Sequence, residues 1–262
     1  MNRNTEMRLV RLSAGVLALG GMLAIAKVAR AQEVDDFGAY NPAHERGQYE
    51  SPQHVALELR FGRYIPNIDN EFDNATPYHT MFGDSNRYAV GLEVDWQAFR
   101  IPYVGTVGIG GAFQYTKSKA NSFEAGTSVR SGETTALTLF PLYAVAVLRA
   151  DVLARETPIP LVGYAKLGVG AGIWTVSNGG GTAEVGNVKG NGISYGPQLA
   201  LGGMFLLDVL DPYAAMQMDE STGINNSYIY IEWYLSQLNG FGSSSQMQVG
   251  TNTWFLGLAF EM

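Results

Sequence analysis

The nine residues Trp254–Met262 (WFLGLAFEM) alternate with a period of two. Trp254, Leu256, Leu258, Phe260 and Met262 fall on one face of an extended strand. Phe255, Gly257, Ala259 and Glu261 fall on the other. The first face is wholly apolar; the second is small or polar except for Phe255. A strand that is apolar on one side and sparse on the other fits a wall with lipid outside and a narrow lumen inside. The edge strand of a soluble β-protein could carry the same pattern, so the rest of the chain has to separate the two.

The alternation recurs upstream and predicts eight strands. The first is about His54–Ile65, with Val55, Leu57, Leu59 and Phe61 opposite Ala56, Glu58, Arg60 and Gly62. The second, about Arg87–Phe99, sets Tyr88, Val90, Leu92, Val94 and Trp96 against Ala89, Gly91, Glu93, Asp95 and Gln97. The third is Tyr103–Lys117. The fourth, about Glu133–Ala150, is apolar on both faces; Leu137, Leu139, Tyr143, Val145 and Val147 are assigned outward. The fifth is Leu161–Val176 and the sixth about Gly192–Leu207. The seventh, Asn226–Ser236, puts Ile229, Ile231, Trp233 and Leu235 outward and Tyr228, Tyr230, Glu232 and Tyr234 inward. The eighth is about Gly250–Met262. A soluble β-sandwich would carry Lys, Glu and Asp on its wet face. Here the second face is mostly Gly, Ala and isolated charges, which suits a cramped lumen. The fold class is therefore all-β: an eight-stranded antiparallel up-and-down transmembrane β-barrel over residues 54–262.

The front of the chain reads as a secretory signal. Arg3, Arg8 and Arg11 precede an apolar run of 15 residues, Leu12–Ala26, and Ala29-Arg30-Ala31 offers a small-x-small cleavage site. Residues 1–31 are thus expected to be a signal peptide. The polar stretch 32–53 is expected to be a flexible periplasmic lead-in. The signal holds five basic residues and one acidic, so of the 17 basic and 24 acidic residues 12 and 23 remain, a net charge of −11. That balance argues against nucleic acid, whose phosphates need a basic footprint. The chain has no cysteine, so packing and a closed hydrogen-bond network must hold it together.

An even strand count puts both ends on one side, which secretion makes the periplasm. The connections 66–86, 118–132, 177–191 and 237–249 then face outward, and their Asn, Gly, Ser and Thr content is that of mobile surface loops. On the periplasmic side, Asp211-Pro212 is expected to begin a short helix.

The inward positions collect Glu58, Arg60, Glu93, Asp95, Lys166, Glu232 and Glu261, five acids against two bases. Charges in a narrow barrel must pair or meet water. They form either a structural ion-pair network or a small cation-preferring path. Gly108, Gly110, Gly168, Gly170 and Gly172 widen the lumen in this reading, or permit curvature. Trp96, Trp174, Trp233 and Trp254, with Tyr88, Tyr115, Tyr143 and Tyr164, are assigned to the membrane edges. The acids Asp69, Glu71 and Asp73 alternate as in a calcium loop, but Asn74 and Thr80 stand where the loop needs Gly and Glu. All three histidines (His44, His54, His79) lie in the first third, so catalysis is poorly supplied. His79 with Ser85 is the one conceivable hydrolase pair. No enzyme activity, cofactor or metal is expected.

The segments Leu57–Ile68 (LELRFGRYIPNI), Asp208–Gly223 followed by Asn225–Trp233 (NNSYIYIEW), and Trp254–Met262 together resemble a myxobacterial outer-membrane β-barrel family of unknown role. They are broadly similar to OmpA-like and OmpW-like small barrels. The resemblance implies fold and location, with no catalytic residues to carry over. Gly257, Phe260 and Met262 also resemble the C-terminal signal read by the barrel assembly machinery. Two functions follow as expectations. One is a structural or surface-interaction protein whose outer loops contact lipopolysaccharide or extracellular partners. The other is a narrow pore or small-ligand transporter that passes small solutes along an acidic lumen.

Overall fold

The computed structural model describes residues 54–262, apart from Ala125 and Pro158. The segments read as signal peptide and lead-in lie outside the described residues. Eight long strands make up the chain: β1 Val55–Arg63, β2 Tyr88–Ile101, β3 Gly105–Phe123, β4 Arg130–Ala150, β5 Leu161–Asn178, β6 Asn191–Leu206, β7 Asn226–Ser236 and β8 Asn252–Glu261. Each pairs antiparallel with its sequence neighbour. β1 also pairs with β8, from Ala56↔Glu261 to Gly62↔Phe255, which closes the sheet. The result is an up-and-down barrel with no free long edge, the condition for β-structure to cross a bilayer.

Closure sorts the alternating residues. Leu59, Phe61, Leu167, Val169, Ile229, Ile231, Leu256 and Leu258 are exposed on the outer wall, while Glu58, Arg60, Lys166, Tyr230 and Glu232 are buried inside. A wall of exposed Leu, Ile, Val and Phe is untenable in water and is the lipid-facing belt of a membrane barrel. Trp96, Phe99 and Tyr103 ring the end that carries the termini; Tyr88, Tyr195 and Trp254 ring the other end, called here the mouth.

The assignment for β4 is inverted. Leu137, Leu139, Tyr143, Val145 and Val147 are buried in the lumen, and Leu142, Ala144, Ala146 and Leu148 face out. Both faces of this strand are apolar, so hydrophobicity carries no directional information. Its pairing does: Val107↔Leu148 and Ile109↔Ala146 join the outward faces of β3 and β4. Tyr143 and Tyr164, read as edge aromatics, are likewise lumenal, and Trp174 packs against the interior core.

β3 and β4 run past the other strands at the mouth. They take up most of the expected 118–132 loop, leaving only residues 124–129 as their connection. At the opposite end, helices α2 (Val152–Glu156) and α3 (Pro212–Thr222) join strands, and α1 (Pro77–Phe82) sits over the mouth. α3 starts where the Asp-Pro pair predicts. The Asp211 carboxylate accepts from Ala214 N at 3.0 Å, and Gly223 ends the helix at φ 72°.

Candidate functional site

Two layers fill the lumen. The layer nearer the termini is ionic. β1 supplies Glu58 and Arg60, β2 Glu93 and Asp95, β5 Lys166, β7 Glu232 and β8 Glu261. β4 adds Arg149, which the inverted reading of that strand hid. Its parity with Tyr143, Val145 and Val147 was the available signal, because the single charge in the apolar stretch 134–150 marks the lumenal face.

The charges interlock. Lys166 Nζ donates to Glu58, lies 2.6 Å from Glu93 Oε1 and 3.9 Å from Glu232 Oε2. Arg60 donates to Glu93 and lies 3.0 Å from Glu232 Oε1. Arg149 reaches Glu58 Oε1 and Asp95 Oδ2, both at 2.6 Å, and Glu261 Oε1 at 3.3 Å. Tyr164 Oη donates to Glu232 at 3.0 Å, and Tyr228 Oη donates to Glu261 at 2.9 Å. Every one of these charged residues is buried. Among the described residues the layer thus holds five acids and three bases rather than five and two. Carboxylate oxygens of Glu58, Glu93 and Asp95 lie within 4.8 Å of one another, a spacing suited to a cation. Lys166 and Arg149 already supply positive charge there, to Glu58 and Glu93 and to Glu58 and Asp95 respectively.

Glycines are what let these side chains fit. Arg60 has Gly91 beside it on β2 and Gly257 beside it on β8. A Cβ on Gly91 would lie 2.7 Å from Arg60 Cγ, and one on Gly257 would overlap the Tyr230 ring. A Cβ on Gly110 would overlap Asp95, on Gly170 the Tyr143 ring, and on Gly202 the Tyr164 ring. The glycine runs therefore do not open the lumen; large side chains from neighbouring strands occupy the space they leave.

The layer nearer the mouth is apolar and aromatic. Tyr64, Leu137, Leu139, Tyr143, Tyr234 and Phe255 pack with Leu238 and Val249 from the β7–β8 connection and with Ile68 and Tyr78 from the β1–β2 connection. Tyr234 stands edge-on to both Phe255 and Tyr143, with centroids 5.2 and 6.0 Å apart. Between the two layers, the buried amides of Gln114 and Gln198 have no protein hydrogen-bond partner.

Over this plug the two connections are pinned rather than free. Tyr64 Oη donates to Val249 O at 2.7 Å, and Gln248 N donates to Glu71. Asp69 accepts from Tyr78 N at 2.6 Å and His79 N at 3.0 Å, and Tyr78 Oη meets Ser118 Oγ at 2.7 Å. Arg130 donates to Thr80 O at 3.0 Å and Met81 O at 2.8 Å, with its guanidinium 3.9 Å from the Phe123 ring centre. Asp69 and Glu71 thus serve as hydrogen-bond acceptors within the fold. Partial burial pushes the Glu71 carboxyl up from its ordinary value, and the Gln248 N–H pulls it back. His79 Nε2 lies 3.0 Å from Asp84 Oδ1, with both side chains exposed.

No protein-family model and no curated protein matches the sequence. Among solved structures the chain is similar to Ail, the attachment invasion locus protein of Yersinia pestis, solved in complex with the heparin analogue sucrose octasulfate. The identity is 15%, the TM-score 0.40, and the match covers 80% of this chain and 97% of that one. A second structure of Ail gives 15%, 0.40, 81% and 99%. The N-terminal β-barrel domain of Pseudomonas aeruginosa OprF gives 13%, 0.35, 80% and 98%. All three are distant likenesses of fold; the eight-stranded closed topology is established by the strand pairing of this chain itself.

Proposed function

We propose that the protein is a sealed outer-membrane barrel that works through its surface. The termini lie in the periplasm, the mouth faces the cell exterior, and the outer loops contact lipopolysaccharide or extracellular partners. The observation that carries this reading is the double seal of the lumen. An ion-paired layer and an aromatic layer lie one above the other, and residues of two connections are built into the second. An eight-stranded barrel has room for side chains or one small ligand, and here side chains take it. The pinned β1–β2 and β7–β8 connections offer a preformed outer surface, which lowers the ordering cost of binding. Membership in the myxobacterial barrel family, and recognition of Gly257, Phe260 and Met262 by the barrel assembly machinery, belong to the same proposal.

The alternative is a narrow path through the acids. It has against it that Lys166, Arg60 and Arg149 already engage those acids, and that Tyr64, Tyr143, Tyr234 and Phe255 close the space above. The test is conductance of the folded protein in a planar bilayer. A silent membrane is the expected result; discrete, repeatable steps would overturn the sealed-barrel reading and make the ionic layer a permeation site.

A further inference from the structure

The outer wall is not uniform. On β3 the outward residues from mid-strand to the mouth are Gly111, Phe113, Tyr115, Lys117 and Lys119. This is a gradient from apolar through aromatic to basic. Arg63 on β1 pairs with Tyr88 on β2, and the pairing Ala89↔Thr116 puts Tyr88 level with Lys117 one step further on. Arg63, Lys117 and Lys119 are exposed and belong to one side of the rim. No ion pair engages any of them among the described residues. Next to Arg63 the rim presents uncharged residues instead, Trp254 and Asn252 on β8, and further round Tyr195 on β6. In a chain with an excess of acids, a local row of bases without acidic partners calls for an anion.

Below this row the wall has a furrow. The residues Val94, Gly111, Ala144 and Val169 form one lateral row across β2–β5. Phe113 and Leu142 stand on its mouth side, and the depression measures about 780 Å³. Gly111 deepens it for no internal reason. A Cβ there would meet nothing nearer than Tyr143 O at 3.9 Å, and the backbone needs no positive φ. From Gly111 to Lys117 is roughly 20 Å along the strand. Strand tilt reduces this to roughly 15 Å along the membrane normal, half of a ~30 Å hydrocarbon core. The furrow thus lies near the midplane and the bases at the boundary, one acyl chain apart.

We propose that this face binds one phosphorylated lipid of the outer leaflet. Its phosphates would be held by Lys117, Lys119 and Arg63, and one acyl chain would run past Phe113 and Leu142 into the furrow over Gly111. The occupant is fixed by charge complementarity at the rim and by the apolar lining beneath it. The inference deepens the surface-contact reading and rests on its orientation, with the mouth outward.

The test is native mass spectrometry of the full chain in mild detergent with three probes: a bisphosphorylated lipid A, the same lipid without its phosphates, and phosphatidylethanolamine. The wild type is expected to retain the bisphosphorylated lipid roughly tenfold or more over its dephosphorylated form, since each Lys or Arg near an anionic surface contributes substantially. Lys117→Gln with Lys119→Gln should abolish that preference. Gly111→Leu should lower retention of both glycolipids alike. Heat-modifiable gel migration verifies that each variant is folded. No preference in the wild type, a preserved preference in the double lysine variant, or unchanged retention in Gly111→Leu would each overturn the proposal. So would a stable dimer lost in Gly111→Leu, which would give the furrow to a second copy. Failure of the orientation shows separately: a protease added to intact cells would then leave the mouth loops uncut. Failure of the sealed barrel would show as conductance with lipid retention unchanged.

Discussion

Replacing Arg149 with methionine keeps most of the side chain's length and removes its charge. In the wild type its guanidinium lies 2.6 Å from Glu58 Oε1, 2.6 Å from Asp95 Oδ2 and 3.3 Å from Glu261 Oε1, and all four residues are buried. The substitution takes the layer from five acids and three bases to five and two. Glu58 keeps Lys166, but Asp95 loses its one ion-pair partner among the described residues. Removing one partner of a buried ion pair costs about 3–5 kcal/mol, because the other charge stays desolvated. A loss of that size is expected for Arg149→Met. Arg149→Lys should fall between, since an ammonium restores the charge but cannot span three carboxylates with a planar fork. Adding Asp95→Asn to Arg149→Met should recover about 1–3 kcal/mol as a coupling energy between neighbours. The assay is urea unfolding of refolded protein in lipid vesicles, followed by tryptophan fluorescence and by gel mobility. An Arg149→Met unfolding free energy within about 0.5 kcal/mol of the wild type would refute the reasoning. The pairs would then behave as exposed ones, worth about 0–1 kcal/mol, and the lumen would have to be wet.

Three further outcomes follow from the geometry. Cysteine scanning of β4 should show Ala146→Cys reacting with a membrane-soluble maleimide and Val147→Cys protected in the folded barrel; the reverse pattern would restore the opposite facing of that strand. Gly202→Ala should destabilise by about 1–3 kcal/mol through overpacking against the Tyr164 ring, whereas Gly111→Ala should change urea stability by no more than about 0.5 kcal/mol. Equal effects would mean that lumenal glycines are not sockets for neighbouring side chains. Arg130→Gln should release the Thr80 and Met81 carbonyls at the end of α1 and raise proteolytic cleavage within residues 76–86 severalfold, at unchanged barrel stability; an unchanged cleavage rate would remove Arg130 as the clasp.

Strand number, order and most facings could be read from alternation alone. On β1, β2, β7 and β8 one face is apolar and the other carries Glu58, Arg60, Glu93, Asp95, Glu232 and Glu261, so hydrophobicity assigns the side without any neighbour. A period of two also admits only one slip error, because a one-residue shift exchanges every side chain between lipid and lumen. β4 lies outside that logic. Its two faces are equally apolar; apart from the parity of Arg149, it is hydrogen-bond pairing to the outward residues of β3 that orients it. The same holds for the glycines and tyrosines. Gly170 and Tyr143, or Gly202 and Tyr164, come from different strands, and nothing local says that one is the socket of the other. Local pattern carries the direction of a side chain where the two faces differ in polarity. Contacts between neighbouring strands carry it where they do not, and those contacts exist only once the strands have paired.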